Sequence, residues 1–225
     1  MSQPTSTRTF KPVSAGLAKH MGRIFEDASL NYPGGLAKMN LVKGDPRLVA
    51  KFHEFCDIIV SERAKVVAIR DRPVWKVARI GTHKSNAELR TELRHSDYEI
   101  DDFGEDILKN TPVAAKRSEL PLMSVSGFDL GLKGLPSRQE IYEAAIATGF
   151  LALCPAEVGP QLRLQYPDQP NREWCVVAME PILDSNGCSR VFLVMHDDRN
   201  LCLSSSSGNP GDRWDNYVRW VFVRK

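Results

Sequence analysis

The sequence predicts an α+β protein: a helical N-terminal part with two strands, packed on a C-terminal antiparallel β-meander of four to five strands. Three observations predict it. Residues 46–69 carry apolar side chains at helical spacing; two Ser-x-x-Glu capping boxes open further helices at Ser85 and Ser137; and after Leu162 alternating strand patterns separated by turn residues replace the helical ones. Strands that follow a run of helices mark an α+β chain rather than a doubly wound one.

Asn31-Tyr32-Pro33-Gly34-Gly35 is a turn cluster. Asp45 then caps a helix with Pro46 at its first position, and Leu48, Phe52, Phe55, Cys56 and Ile59 share one face before Arg72-Pro73 stops it. Val74 to Ile80 alternates as a strand. Ser85 with Glu88 caps a helix from Asn86 to about His95, and Tyr98 to Asn110 reads as a second, short helix that Gly104 weakens. Leu120 to Val125 is a strand and Gly127 to Pro136 a Gly-rich loop. Ser137 with Glu140 opens a helix over Arg138 to Thr148, ended by Gly149. The meander follows as Leu162 to Tyr166, Trp174 to Ile182, Ser189 to His196, Leu201 to Ser204 and Val218 to Arg224. Its turns are Asp168-Gln169-Pro170-Asn171, Ser185-Asn186-Gly187 and Asp197-Asp198-Arg199-Asn200.

This divides the chain into a disordered basic tail (1–30), a helical α/β part (31–135) and a helix with the antiparallel sheet (136–225), the last two able to form one compact domain. The tail carries Arg8, Lys11, Lys19 and Arg23 and no acid up to Phe25, a pattern shared by organelle transit peptides. With 42% hydrophobic and 26% charged residues among 225, the composition is that of a globular protein. A formal charge of +2 gives no electrostatic reason to expect nucleic acid or a lipid surface. The uncharged run 144–156 contains Gly149 and Pro155 and is far short of the ~20 apolar residues a membrane span needs. Five cysteines without a Cys-x-x-Cys pair predict neither a zinc ribbon nor a disulfide framework but thiols in a reducing, cytoplasmic compartment.

Several segments together resemble a family of bacterial conserved hypothetical proteins. They are Gly34-Gly35-Leu36-Ala37-Lys38-Met39-Asn40, Ile80-Gly81-Thr82-His83-Lys84-Ser85, Leu153-Cys154-Pro155-Ala156-Glu157-Val158-Gly159-Pro160-Gln161-Leu162-Arg163-Leu164, Ala178-Met179-Glu180-Pro181-Ile182 and Trp220-Val221-Phe222-Val223. The resemblance implies a bacterial, cytoplasmic setting, counts against a transit peptide and carries over no catalytic residue.

The densest polar cluster is the first hairpin of the meander, with Glu157, Arg163, Tyr166, Asp168, Glu173 and Trp174; His196 lies in the same half. On a strand, Arg163 and Gln165 share one face, where a guanidinium fork beside carboxylates either binds an anion or closes an ion pair. Cys154 lacks a positioned histidine and reads as a core thiol. His196-Asp197-Asp198 would need Glu180 or Asp184 to complete a metal site and otherwise reads as a hairpin tip, so neither a metal nor a cofactor is expected. His83, Lys84 and Ser85, between a strand and a helix, are candidates for holding an anion, without the glycine spacing of a P-loop. Trp174, Trp214, Tyr217 and Trp220, with Arg190, Arg213 and Arg219, could stack bases beside a flexible Ser204–Asp215 loop.

The function expected from these features is a non-catalytic module binding a partner protein or a small anionic ligand through the Arg163 hairpin. The alternatives are a hydrolase or nuclease-like enzyme using Glu157, Glu173 or His196 with Arg163, and a single-stranded nucleic-acid binder.

Overall fold

Trp220, Val221 and Phe222 follow one another on the last strand, and all three are fully buried. Successive strand residues point to opposite faces, so this strand is covered on both sides, as a central strand is and a half-exposed meander strand is not. The computed structural model describes residues 46–47, 50, 54, 66, 68–96, 98–198 and 200–225. The chain divides into two compact units, Met1–Val60 and Ser61–Lys225. In the first, the described positions 46–47, 50 and 54 are helical; the basic tail and most of the helix expected after Asp45 lie outside the described residues.

Ser61–Lys225 contains β1 (Lys76–Ile80), α1 (Asn86–His95), β2 (Glu99–Ile100), α2 (Asp102–Leu108), β3 (Ser118–Val125), α3 (Arg138–Ala147) and β4 (Leu151–Ala152). These are followed by α4 (Val158–Gln165), β5 (Trp174–Val177), β6 (Ile182–Leu183), β7 (Ser189–His196), β8 (Leu201–Ser207) and β9 (Arg219–Arg224). The strands form one nine-stranded sheet in the order β1-β3-β9-β5-β7-β8-β2, with β4 beside β9 and β6 beside β7. The pairs β5/β9 and β2/β8 are parallel and the rest antiparallel. The expected helical part on an antiparallel meander is therefore corrected to a curled, mixed sheet with a few short helices. The cause is the last strand: β9 enters between β3 and β5, pairing Leu122 with Val223 and Val177 with Val221. Strands from both halves of the sequence thus share one sheet.

Helix α4 explains the curl. It packs on β1, near one end of the strand order, and on β7 and β8, near the other. Val158 through Arg163 are all buried, and only Leu164 and Gln165 at the last turn are partly exposed. This segment was expected to supply the strand Leu162–Tyr166, because Leu162, Leu164 and Tyr166 alternate. A helix buried around its first six residues shows no amphipathic stripe to contradict that alternation. Gly159 permits the close approach: a Cβ there would lie 2.5 Å from Phe192 Cγ on β7.

The outer helices follow their caps. Ser137 Oγ accepts from Glu140 N while Glu140 returns to Ser137 N, a complete capping box for α3, and Gly149 after it has φ +78°. Ser85 caps α1 by accepting from Glu88 N, while the Glu88 carboxylate accepts from Lys84 N rather than closing the expected box on Ser85. The helix expected over Tyr98–Asn110 instead begins as β2, and Asp101 caps the shorter α2. Gly104 is needed there because a Cβ would sit 2.4 Å from the Leu203 carbonyl oxygen of β8. Tyr142 of α3 meets Trp220 edge-on at 5.6 Å, and its hydroxyl accepts from Met179 N and donates to Met179 O. Burial pushes that phenol up to about 12. On the outer side of β1, the Gln165 amide accepts from Arg79 N at 2.9 Å and donates to Arg79 O at 2.8 Å.

Candidate functional site

Arg163 is not on an exposed strand face; it is 0% exposed within α4. Its Nη1 donates to Gln169 Oε1 at 2.6 Å and Met195 O at 3.1 Å, its Nη2 donates to Tyr166 O, and the Tyr98 ring lies 4.9 Å from its guanidinium carbon. Among the described residues no carboxylate bonds to it, and its Nε has no partner. Burial lowers its pKa. A buried cation is costly without compensation, and here neutral oxygens and an aromatic face supply it. Gln169 relays the hold, donating to Glu173 O and Val194 O. Arg163 thus ties the 166–173 loop to β7 and meets no dissolved anion.

Glu157 is likewise interior, at 1% exposure. Its Oε1 accepts from Gly81 N at 2.8 Å and Gln161 Nε2 at 3.1 Å, and its Oε2 accepts from Ala114 N at 2.7 Å. This carboxylate joins the loop after β1 to the approach to β3. The proposed anion loop is engaged in the same network: Gly81 N serves Glu157, His83 Nε2 lies 2.5 Å from Glu92 Oε2, and Ser85 caps α1. Lys84 stays exposed, its backbone N–H donating to Glu88.

The open site lies over β5 and β7. Trp174 and Val176 alternate onto one face of β5, and Val176 pairs with Leu193 of β7. These residues form a groove of about 770 Å³ with Trp214, Tyr217 and Val218 as its far wall, within the ~300–1,000 Å³ typical of ligand sites. Trp174 is 54% and Tyr217 72% exposed. Phe128, itself exposed, stacks on Tyr217 with centroids 5.8 Å apart, and Trp214 rests edge-on against Trp220 at 4.8 Å. Asn171, Arg172, Glu173, Ser206, Asp215 and Arg219 complete the lining.

Both rims are held in place. The segment expected as a flexible Ser204–Asp215 loop begins as β8, and its remainder is pinned: Trp214 N donates to Pro136 O, Arg138 N to Asp212 O and Phe128 N to Asn216 O. On the other rim, Arg172 is the only described non-glycine residue with positive φ, at +65°, a conformation costing about 1–3 kcal/mol. It is fixed by its own N–H to His196 O and by its guanidinium fork on Asp198, at 3.0 and 3.2 Å. Glu173 Oε2 accepts from the Tyr166 hydroxyl at 2.6 Å; burial, then this carboxylate, raise the Tyr166 pKa and keep it a donor.

Of the residues singled out in the sequence, Glu173 and Trp174 line the groove and Tyr166 reaches it through Glu173. Asp168 lies apart, 3.6 Å from Lys76. His196 Nδ1 is 2.6 Å from Gln169 O, and Asp198 is held by Arg172 and Asn171. Asp184, the suggested extra metal ligand, pairs with Arg190 at 2.9 Å. No group of three or more His, Cys, Asp or Glu able to hold a metal occurs among the described residues. Cys154 is buried with its pKa pushed up by desolvation, so it is not a thiolate nucleophile. Arg172 and Asp215 were missed; the Trp214 and Tyr217 spacing was their nearest signal. No helix among the described residues is long and apolar enough to cross a membrane. Set against known proteins, the chain matches no family model, no curated protein and no solved structure.

Proposed function

We propose that the chain is a non-catalytic binding module, acting in the bacterial cytoplasm, which takes its ligand in the groove over β5 and β7. The observation that carries this reading is the pair of exposed aromatic side chains, Trp174 and Tyr217, lining one open groove. Large exposed apolar surface framed by polar groups is the usual mark of an interaction site. A hydrolase is less well supported, because Glu157, Glu173 and His196 are engaged separately, with backbone N–H groups, with a tyrosine hydroxyl and with a carbonyl. Relative to the expectation from sequence, the binding site moves from Arg163 to the groove. The cytoplasmic setting is supported by the four described cysteines, all of them free thiols.

Two-dimensional NMR of the four tryptophan indoles tests the reading, since Trp174 and Trp214 line the groove while Trp75 and Trp220 do not. A screen of small ligands and peptides is expected to move the first pair and leave Trp75 in place. Ligands that bind while moving only Trp75 or Trp220 would overturn the reading.

A further inference from the structure

We infer that Asn186 is the chain's site of spontaneous deamidation, in a turn where Asp184 sets the pace of the reaction. The site lies outside the groove and is independent of what binds there.

Sequence and surroundings single this residue out. Asn186 is the only asparagine followed by glycine, the neighbour that least obstructs attack of a backbone nitrogen on the side-chain amide. Among the described residues the other asparagines are each held back. The side-chain amides of Asn86, Asn171, Asn200 and Asn216 donate to Leu108 O, Asp198, Glu99 and Leu132 O. Asn209 precedes Pro210, which has no N–H to lose. Asn110 precedes the β-branched, buried Thr111, whose N–H donates to Leu108 O. Asn186 and Gly187, by contrast, are both exposed. The Asn186 side chain bonds to no described residue, and a Cβ at Gly187 would meet nothing within 4 Å.

The reaction needs only water. Gly187 N gives its proton to hydroxide and attacks Asn186 Cγ. The new N–C bond forms, the Cγ–Nδ2 bond breaks, and Nδ2 leaves as ammonia after taking a proton from water, which restores the hydroxide. A second water then opens the five-membered imide. Breaking the new bond leaves aspartate; breaking the original main-chain bond leaves isoaspartate, with one extra methylene in the backbone.

The turn restrains this step. Gly187 N donates to Asp184 O at 3.0 Å and must be released before it reacts. Asp184 holds the turn shut: its Oδ1 accepts from Asn186 N at 2.9 Å and Cys188 N at 2.8 Å, and its Oδ2 accepts from Arg190 Nε at 2.9 Å. The product carboxylate arises beside Asp184 and near Asp106 of α2, which accepts from Ser185 N at 2.7 Å. Repulsion between like charges, or the longer isoaspartyl backbone, loosens that tie between the turn and α2.

The test is ageing of the full chain in neutral and mildly alkaline buffer, followed by peptide mass spectrometry and isoaspartate-specific methylation. Asn186 is expected to convert first among the nine asparagines, and faster as pH rises. Asp184→Ala is expected to quicken the conversion roughly fivefold, the factor that one lost hydrogen bond allows; Asp184→Asn, which keeps an acceptor oxygen, should quicken it less. Urea unfolding checks that both variants are folded. Another asparagine converting first, or none converting, would overturn the assignment. Equal rates in the parent and Asp184→Ala would overturn the control by Asp184. Converted protein, separated by anion exchange, is expected to unfold at lower urea than the parent, and an equal midpoint would overturn the loosening at α2.

Discussion

Helix α4 with its loops and the groove over β5 and β7 invert the usual distribution of side chains. In the first, Glu157, Gln161 and Arg163 are buried; in the second, Trp174 and Tyr217 stand in solvent. The buried polar groups are engaged with one another and with backbone atoms of loops and strands, so their chemistry is spent on holding the sheet in its curl. Tyr217 stacks on Phe128, itself exposed, and Trp214 beside them rests on buried Trp220. Polar density along the chain therefore marks the scaffold, and aromatic exposure marks the site.

The strongest way to break this comparison is Arg163→Met. It leaves Tyr166 O, Gln169 Oε1 and Met195 O without their donor, and is expected to cost about 3–4 kcal/mol in urea unfolding. A loss below about 1 kcal/mol would mean the guanidinium is not a structural clasp. Gly159→Ala comes next, at about 2 kcal/mol, because the new methyl must displace Phe192; an unchanged midpoint would show that α4 can shift away from β7.

Acid should loosen the groove side. Arg72 clasps Asp129, and with the Ser126 N–H this holds the Asp129 carboxyl down at about 2 against an ordinary 3.8. Because the folded value is depressed, the stabilisation is complete above about pH 4 and is lost as pH falls toward 2. Asp129 closes the turn that carries Phe128, so Asp129→Asn should cost about 1 kcal/mol at neutral pH and flatten the acid limb. An acid limb unchanged in the variant would assign it to other carboxylates. The smallest effect on stability is expected from Trp174→Ala and Tyr217→Ala, within about 0.5 kcal/mol of the parent; a larger loss in calorimetry would move these residues from site to scaffold.

Local signals were legible in the sequence. The Ser137/Glu140 capping box and the strand Ser189–His196 appear where expected, because caps and alternation depend on neighbouring residues. The strand order was not, since the pairing of β9 with β3 joins residues about a hundred apart, and no local pattern encodes it. The segment Leu162–Tyr166 was misleading for a related reason: burial of consecutive residues Val158–Arg163 erased the helical stripe. In the groove, Glu173 and Trp174 were legible as a polar-aromatic pair. The pinning of the segment after β8 was not, because its partners Pro136, Arg138 and Gln139 supply backbone atoms that any residue would carry.

The Gln165 amide lies against Arg79 on the outer side of β1, offering one acceptor and one donor just as a neighbouring strand would. That position of the sheet's margin is already saturated by the chain itself. A second copy cannot lengthen the sheet by strand addition through Arg79 while Gln165 holds that position.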